Sequence, residues 1–85
     1  MRPLTAYQEV KQRITEDLVR GRFPTGQALP AEKDLSKELD VSIGTLRKAV
    51  DELVAEGIVV RKQGKGTFVA EHDVKRLLYY FFHVV

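Results

Sequence analysis

One short stretch of the chain combines small polar residues with a basic side chain. It begins at Ser42, continues through Gly44 and Thr45, and ends at Arg47 and Lys48. Small residues let a helix approach another surface closely, and the planar guanidinium of an arginine can donate to the O6 and N7 atoms of guanine together. The stretch is therefore suited to contact base edges of DNA, with Arg47 as the strongest candidate for reading a base.

A second basic stretch lies further along the chain, where Lys65 stands between Gly64 and Gly66. Between residues 58 and 70 the charged residues are all bases, namely Arg61, Lys62 and Lys65. Such side chains bind phosphates and position a protein on DNA without reading its sequence. The G-x-x-x-x-G-K-[ST] spacing of a nucleotide-binding loop is absent here, so we do not expect a nucleotide site.

Three amphipathic helices are predicted to position these residues. In the first, apolar residues recur every three or four positions, Thr5 is the expected N-cap, and Gln8 completes a capping box. The second begins near Pro30 with an apolar stripe of Ala31, Leu35 and Leu39. Asp40 tolerates a left-handed turn before Ser42 caps the third helix. That helix has a buried stripe of Leu46, Ala49, Val50 and Leu53 and ends at Gly57.

A β-hairpin is predicted to follow the third helix. Residues 58–60 and 67–69 are rich in β-branched and aromatic types, and glycines between them permit a tight reversal. A short helix, a tight turn and a longer helix form the pattern of a helix-turn-helix, whose second helix enters the major groove of DNA. The basic hairpin then acts as a wing. The expected fold is α+β, a winged helix-turn-helix of three helices and a C-terminal hairpin.

Four motifs occur in order at fixed spacing along residues 4–70. They are LPAEKDL at 29–35, VSIGTLRKA at 41–49, EGIV at 56–59 and GKGTFV at 64–69. Together they resemble the GntR family of bacterial transcription regulators, and the segment after Ala70 resembles the HutC-like branch. The chain departs from the family pattern at Ile43 and Gly44, where members often carry Arg and Thr or Ser. Ile43 could instead contact the methyl group of a thymine.

The resemblance implies a DNA-binding domain at residues 1–70, followed at 71–85 by a linker and the start of a truncated effector-binding and dimerisation domain. It implies a metabolite-responsive repressor that binds an inverted-repeat operator in double-stranded DNA as a homodimer. A small-molecule effector would bind the missing domain. The resemblance implies DNA contacts at Lys33, Ser42, Thr45, Arg47, Gly64, Lys65 and Gly66. The residues themselves add Gly44, Lys48 and Lys62 as candidate contacts.

Composition narrows the other classes of function. With 85 residues there is room for one small domain and no deep catalytic cleft, so we expect no enzyme, no catalytic residues and no cofactor in this chain. Cysteine is absent, which excludes a disulfide framework and a thiolate metal site and favours the cytoplasm. We expect no metal at Glu71, His72 and Asp73, because adjacent linker residues cannot converge on one ion. We also expect no signal peptide and no membrane association.

Three alternatives remain open from the sequence alone. Arg47 could pair with Asp51 one helical turn later instead of meeting DNA. Lys33 could be an ordinary solvated side chain. The whole domain could also use its third helix and wing to bind proteins instead of DNA.

Overall fold

The computed structural model describes residues 3–71. They form three helices and a two-stranded hairpin, in the order α1 (Ala6–Val19), α2 (Glu32–Glu38), α3 (Ile43–Ala55), β1 (Val59–Lys62) and β2 (Gly66–Val69). The expected fold class is confirmed. Of the predicted segment at 71–85, only Glu71 lies within the described residues, so the domain boundary at Ala70 stays a prediction.

The capping box at the start of α1 is confirmed. The Thr5 hydroxyl accepts the Gln8 backbone N–H at 3.4 Å, and the Gln8 side-chain oxygen accepts the Thr5 backbone N–H at 2.9 Å. These two bonds satisfy backbone donors that have no partner within the helix. They fix where α1 begins.

The turn between α2 and α3 also follows the sequence expectation. Asp40 has a φ of 55°, in the left-handed region that aspartate tolerates. The Val41 N–H then donates to the Ser36 carbonyl at 3.0 Å, and the Ser42 hydroxyl accepts the Thr45 N–H at 3.1 Å as the N-cap of α3. One difference concerns Ala31, which was expected inside α2. It is exposed and has a ψ of 146°, so it precedes the helix as its N-cap.

One core joins all the elements. Its most deeply buried members are Ile14 of α1, Leu46, Ala49 and Leu53 of α3, and Val59 of β1. Helix α3 lies at the centre of this core, because α1, α2 and β1 all pack against it. The face of α3 opposite the core is thereby held outward.

The hairpin is antiparallel and pairs Val59 with Val69 at its base and Lys62 with Gly66 near its tip. A third segment lies along β2, which the sequence did not predict. The Leu29 N–H donates to the Thr67 carbonyl at 2.8 Å, and the Val69 N–H donates to the Gln27 carbonyl at 2.9 Å. This pairing ties the loop before α2 to the base of the hairpin.

Ion pairs reinforce the contacts of α1. Lys11 lies between Glu52 of α3, at 3.2 Å, and Glu56, the C-cap of α3. Partial burial opposes the charge of Lys11, but the bonds to Glu56 and Glu52 outweigh it and raise the pKa of the ammonium. Beyond α1, Arg22 pairs with Asp17 at 2.9 Å and with Glu38 of α2. The bond to Arg22 lowers the pKa of the Glu38 carboxyl.

No helix within residues 3–71 is long and apolar enough to span a membrane.

Candidate nucleic-acid interface

The first turn of α3 is presented to solvent. Ser42, Ile43 and Gly44 are exposed and Thr45 is half-buried, whereas Leu46 on the inner face is fully buried. The Ser42 hydroxyl donates to the Thr45 hydroxyl at 2.9 Å and accepts the Thr45 N–H. The cap therefore orders both polar side chains at the exposed end of the helix, where backbone N–H groups also favour an anion.

Arg47 is held at this surface by a carboxylate of α2. Its Nε and Nη2 atoms each donate to the Glu32 Oε1 atom at 3.3 Å. The Arg47 side chain is 59% exposed, and its Nη1 atom makes no hydrogen bond within the described residues. The guanidinium is therefore oriented by one edge while its other edge faces solvent.

Asp51, the partner that helical spacing allowed for Arg47, instead accepts a hydrogen bond from Arg61 of β1. Arg61 also lies 3.5 Å from the Glu32 carboxylate. Glu32, Arg47, Asp51 and Arg61 thus form one connected set, which we call the charge network. It joins the start of α2, the exposed face of α3 and the first strand of the wing.

The charge network changes the role expected for Arg61. The sequence placed its guanidinium over phosphates, but the structure places it between two carboxylates. Glu32 and Asp51 were not predicted to belong to the site, because the contacts join residues of different elements. A spacing rule within one helix does not reveal such contacts.

The remaining predicted contacts occupy different parts of the surface. The Lys48 ammonium lies 4.2 Å from the ring centre of Tyr7 in α1, in cation–π geometry. Lys48 and its neighbour Arg47 therefore contact different helices. Lys33 is exposed in the first turn of α2. DNA contact by Lys33 and Lys48 stays a prediction.

The wing presents its tip to solvent. Gly64, Lys65 and Gly66 are exposed, and the Lys65 N–H donates to the Lys62 carbonyl at 2.9 Å. Gly64 and Gly66 have φ values of 75° and 125°, which a residue with a side chain rarely adopts, so the tip depends on glycine at both positions. The Lys62 ammonium lies 4.6 Å from the ring centre of Phe68 on the paired strand. Lys65 is left as the outermost charge of the hairpin, and wing contact with DNA stays a prediction.

A helix-turn-helix formed by α2 and α3, followed by a hairpin beside α3, defines a winged helix-turn-helix domain. The domain is similar to the crystal structure of the AraR DNA-binding domain in complex with operator ORE1. That comparison has a TM-score of 0.76 and 38% sequence identity, and covers 80% of this chain and 83% of the other.

The chain belongs to the gntR family of bacterial regulatory proteins, whose family model matches residues 6–69. Over 72 residues it is 43% identical to a probable fructoselysine utilization operon transcriptional repressor of Escherichia coli (strain K12). Over 77 residues it is 40% identical to a histidine utilization repressor of Pseudomonas putida. These matches cover 85% and 91% of this chain but only 30% and 31% of the two relatives. The chain therefore spans less than a third of the length of these relatives.

Proposed function

We propose that this chain is the DNA-binding part of a transcription repressor and that it recognises a specific operator in double-stranded DNA. The observation that carries the proposal is the exposed first turn of α3, with Arg47 beside it, on a helix whose opposite face is fully buried. A rigidly seated helix with an exposed polar end suits insertion into a major groove about 12 Å wide. The family membership and the names of the relatives support the same function.

The proposed mechanism divides the contacts by element. Residues of α3 read base edges, with Arg47 donating to a guanine, while Lys33 and the wing tip at Lys65 bind phosphates. The contact at each phosphate releases counterions, so affinity falls as salt rises. The repressor acts by occupying its operator.

The larger protein is proposed to act as a homodimer on an inverted repeat and to respond to a small molecule. Two copies of α3 then enter successive major grooves on one side of the duplex. The effector site and much of the dimer contact are assigned to the part of the protein outside this chain, as the length of the relatives suggests. The proposal includes no catalytic activity for this domain and places the protein in the cytoplasm.

Selection from a pool of random duplexes tests this function. The chain is incubated with the pool at low and at moderate salt, bound duplexes are sequenced, and the enriched site is titrated. We expect a common motif whose affinity falls with salt, and an inverted repeat would support the dimer. Salt-sensitive binding without a motif would contradict sequence recognition by this chain. Failure to bind any duplex at low salt would contradict DNA binding and favour a protein partner.

A further inference from the structure

Ile43 is an apolar side chain in the middle of a polar surface. It is the first residue of α3 and is 40% exposed, between Ser42 and Gly44, which are also exposed. Leu4 and Val60 are the other large hydrophobic residues that are exposed within residues 3–71, and both lie outside α3. Ile43 is thus the exposed apolar group at the end of the helix that we assign to base recognition.

The fold does not account for isoleucine at this position. The residues that α3 contributes to the core are Leu46, Ala49, Val50 and Leu53, and Ile43 is not among them. Ser42 supplies the helix cap, so Ile43 is not needed to begin the helix. A polar residue would leave less apolar surface in water at the same place.

Gly44 leaves open space beside Ile43. A Cβ atom built on Gly44 would meet only the Ser42 Oγ atom, at 3.9 Å, and the φ of Gly44 lies outside the left-handed range that favours glycine. Neither packing nor backbone conformation therefore requires glycine here. Residue 44 therefore has no side chain that could hold an approaching surface away from Ile43.

One apolar group is available on base edges in the major groove, the C5-methyl of thymine. An isoleucine cannot donate or accept a hydrogen bond, so it can distinguish bases there by contact with that methyl group. We infer that Ile43 reads a thymine of the operator through its C5-methyl. This inference rests on the proposed function, which it deepens by specifying the type of base at one position.

The position of this thymine relative to the Arg47 contact follows from the helix. Residues four apart lie on one face of a helix with about 5–6 Å between their Cβ atoms, and successive bases of a strand rise by about 3.4 Å. The thymine is therefore expected in the same half-site as the guanine that Arg47 contacts and close to it along the duplex. That limits which operator positions can show the effect.

The test replaces each thymine of the selected site, one at a time, with deoxyuridine. Uracil keeps the hydrogen-bonding groups of thymine and lacks only the methyl. We expect one thymine in each half-site at which the change weakens binding by the wild-type chain by about fourfold, the effect of one buried methyl group. The Ile43→Ala variant is expected to bind both duplexes equally.

Two further variants separate methyl recognition from general damage. Ile43→Val keeps a branched apolar side chain and is expected to retain most of the preference for thymine. Leu4→Ala removes another exposed apolar side chain and is expected to discriminate as the wild type does. Far-ultraviolet circular dichroism confirms that each variant is folded.

The outcomes separate the inference from the function on which it rests. If the chain binds its selected site but no thymine is sensitive to uracil, the inference is overturned and the proposed function stands. Equal discrimination by wild type and Ile43→Ala also overturns the inference. If no duplex is bound at low salt, the proposed function fails and the inference fails with it.

Discussion

The guanidinium of Arg47 is held by hydrogen bonds on one edge and is exposed to a binding partner on the other. Glu32 accepts two of its hydrogen bonds at 3.3 Å, which restricts the many rotamers of a long side chain. The pair is exposed, so its own contribution to stability is small. The main effect of the Glu32–Arg47 pair is to orient the guanidinium. A side chain that is already fixed at one edge loses less conformational entropy when its other edge binds a base.

Replacing Arg47 by alanine is expected to weaken binding to the selected operator by about 1 to 3 kcal/mol and to relax the preference at one base pair. Arg47→Lys keeps the charge but loses the planar fork, so we expect it to lose the same base preference. Titration against the operator and its single-base variants measures both effects.

Arg20→Ala is a matched control for Arg47→Ala. It removes the same charge from the exposed C-cap of α1, which is not among the proposed DNA contacts, and is expected to keep the base preference. A loss for Arg47→Ala that is equal on every duplex would show that Arg47 binds phosphate and does not read a base.

Gly44 gives a second prediction at the scale of one residue. Ala is a better helix former than Gly by roughly 0.5–1 kcal/mol, and the structure has room for its methyl group, so Gly44→Ala is expected to keep or raise the melting temperature. If α3 approaches DNA closely at this point, the same methyl group obstructs that approach, and operator affinity falls. Thermal unfolding and titration are measured on one preparation. Unchanged affinity would show that α3 does not approach the duplex at Gly44.

Among the elements, the wing is suited to add affinity without sequence preference. Its outermost charge, Lys65, lies at an exposed tip shaped by glycines on both sides, and nothing in that geometry recognises a particular base. A lysine in this position acts as a point charge toward phosphate. The wing and α3 are therefore expected to have separable effects on binding.

Lys65→Ala is expected to weaken binding to all duplexes by a similar factor. It is also expected to reduce the slope of log K against log salt by about 0.9, the value for one phosphate contact. Lys65→Arg keeps the charge and is expected to keep the slope. Titrations at four or more salt concentrations measure it, and an unchanged slope for Lys65→Ala would remove the wing tip from the proposed contacts.

The elements also show what the sequence could predict. The caps at Thr5 and Ser42 and the left-handed turn at Asp40 depend on residues within four positions of one another, and all three are confirmed. The pairing of Gln27 and Leu29 with β2 and the bond between Glu32 and Arg47 depend on tertiary packing. Local spacing contains no information about these contacts, so neither was predicted. The sequence already allowed contact of Ile43 with a thymine methyl group, and the packing of α3 adds that this side chain is exposed and outside the core.

At the scale of the whole molecule, the surface proposed for DNA recognition depends on one small core. The charge network and the first turn of α3 are placed by packing of α1, α2 and β1 around that helix. Small domains are stable by only about 5–15 kcal/mol, so a single core cavity removes a large share of that stability. A substitution in the core can therefore abolish the proposed recognition surface by unfolding the domain, even though every residue of that surface is unchanged.

Leu53, which is 0% exposed, tests this dependence. Leu53→Ala is expected to lower the free energy of unfolding by about 2–5 kcal/mol, whereas Leu53→Met is expected to cost less than about 1.5 kcal/mol. Because operator DNA binds the folded state alone, a concentration one hundred times the dissociation constant adds about 2.7 kcal/mol of stability. Selected operator is therefore expected to restore much of the lost melting temperature to Leu53→Ala, and a scrambled duplex to restore less. Equal rescue by both duplexes would show that this domain binds DNA without recognising its sequence.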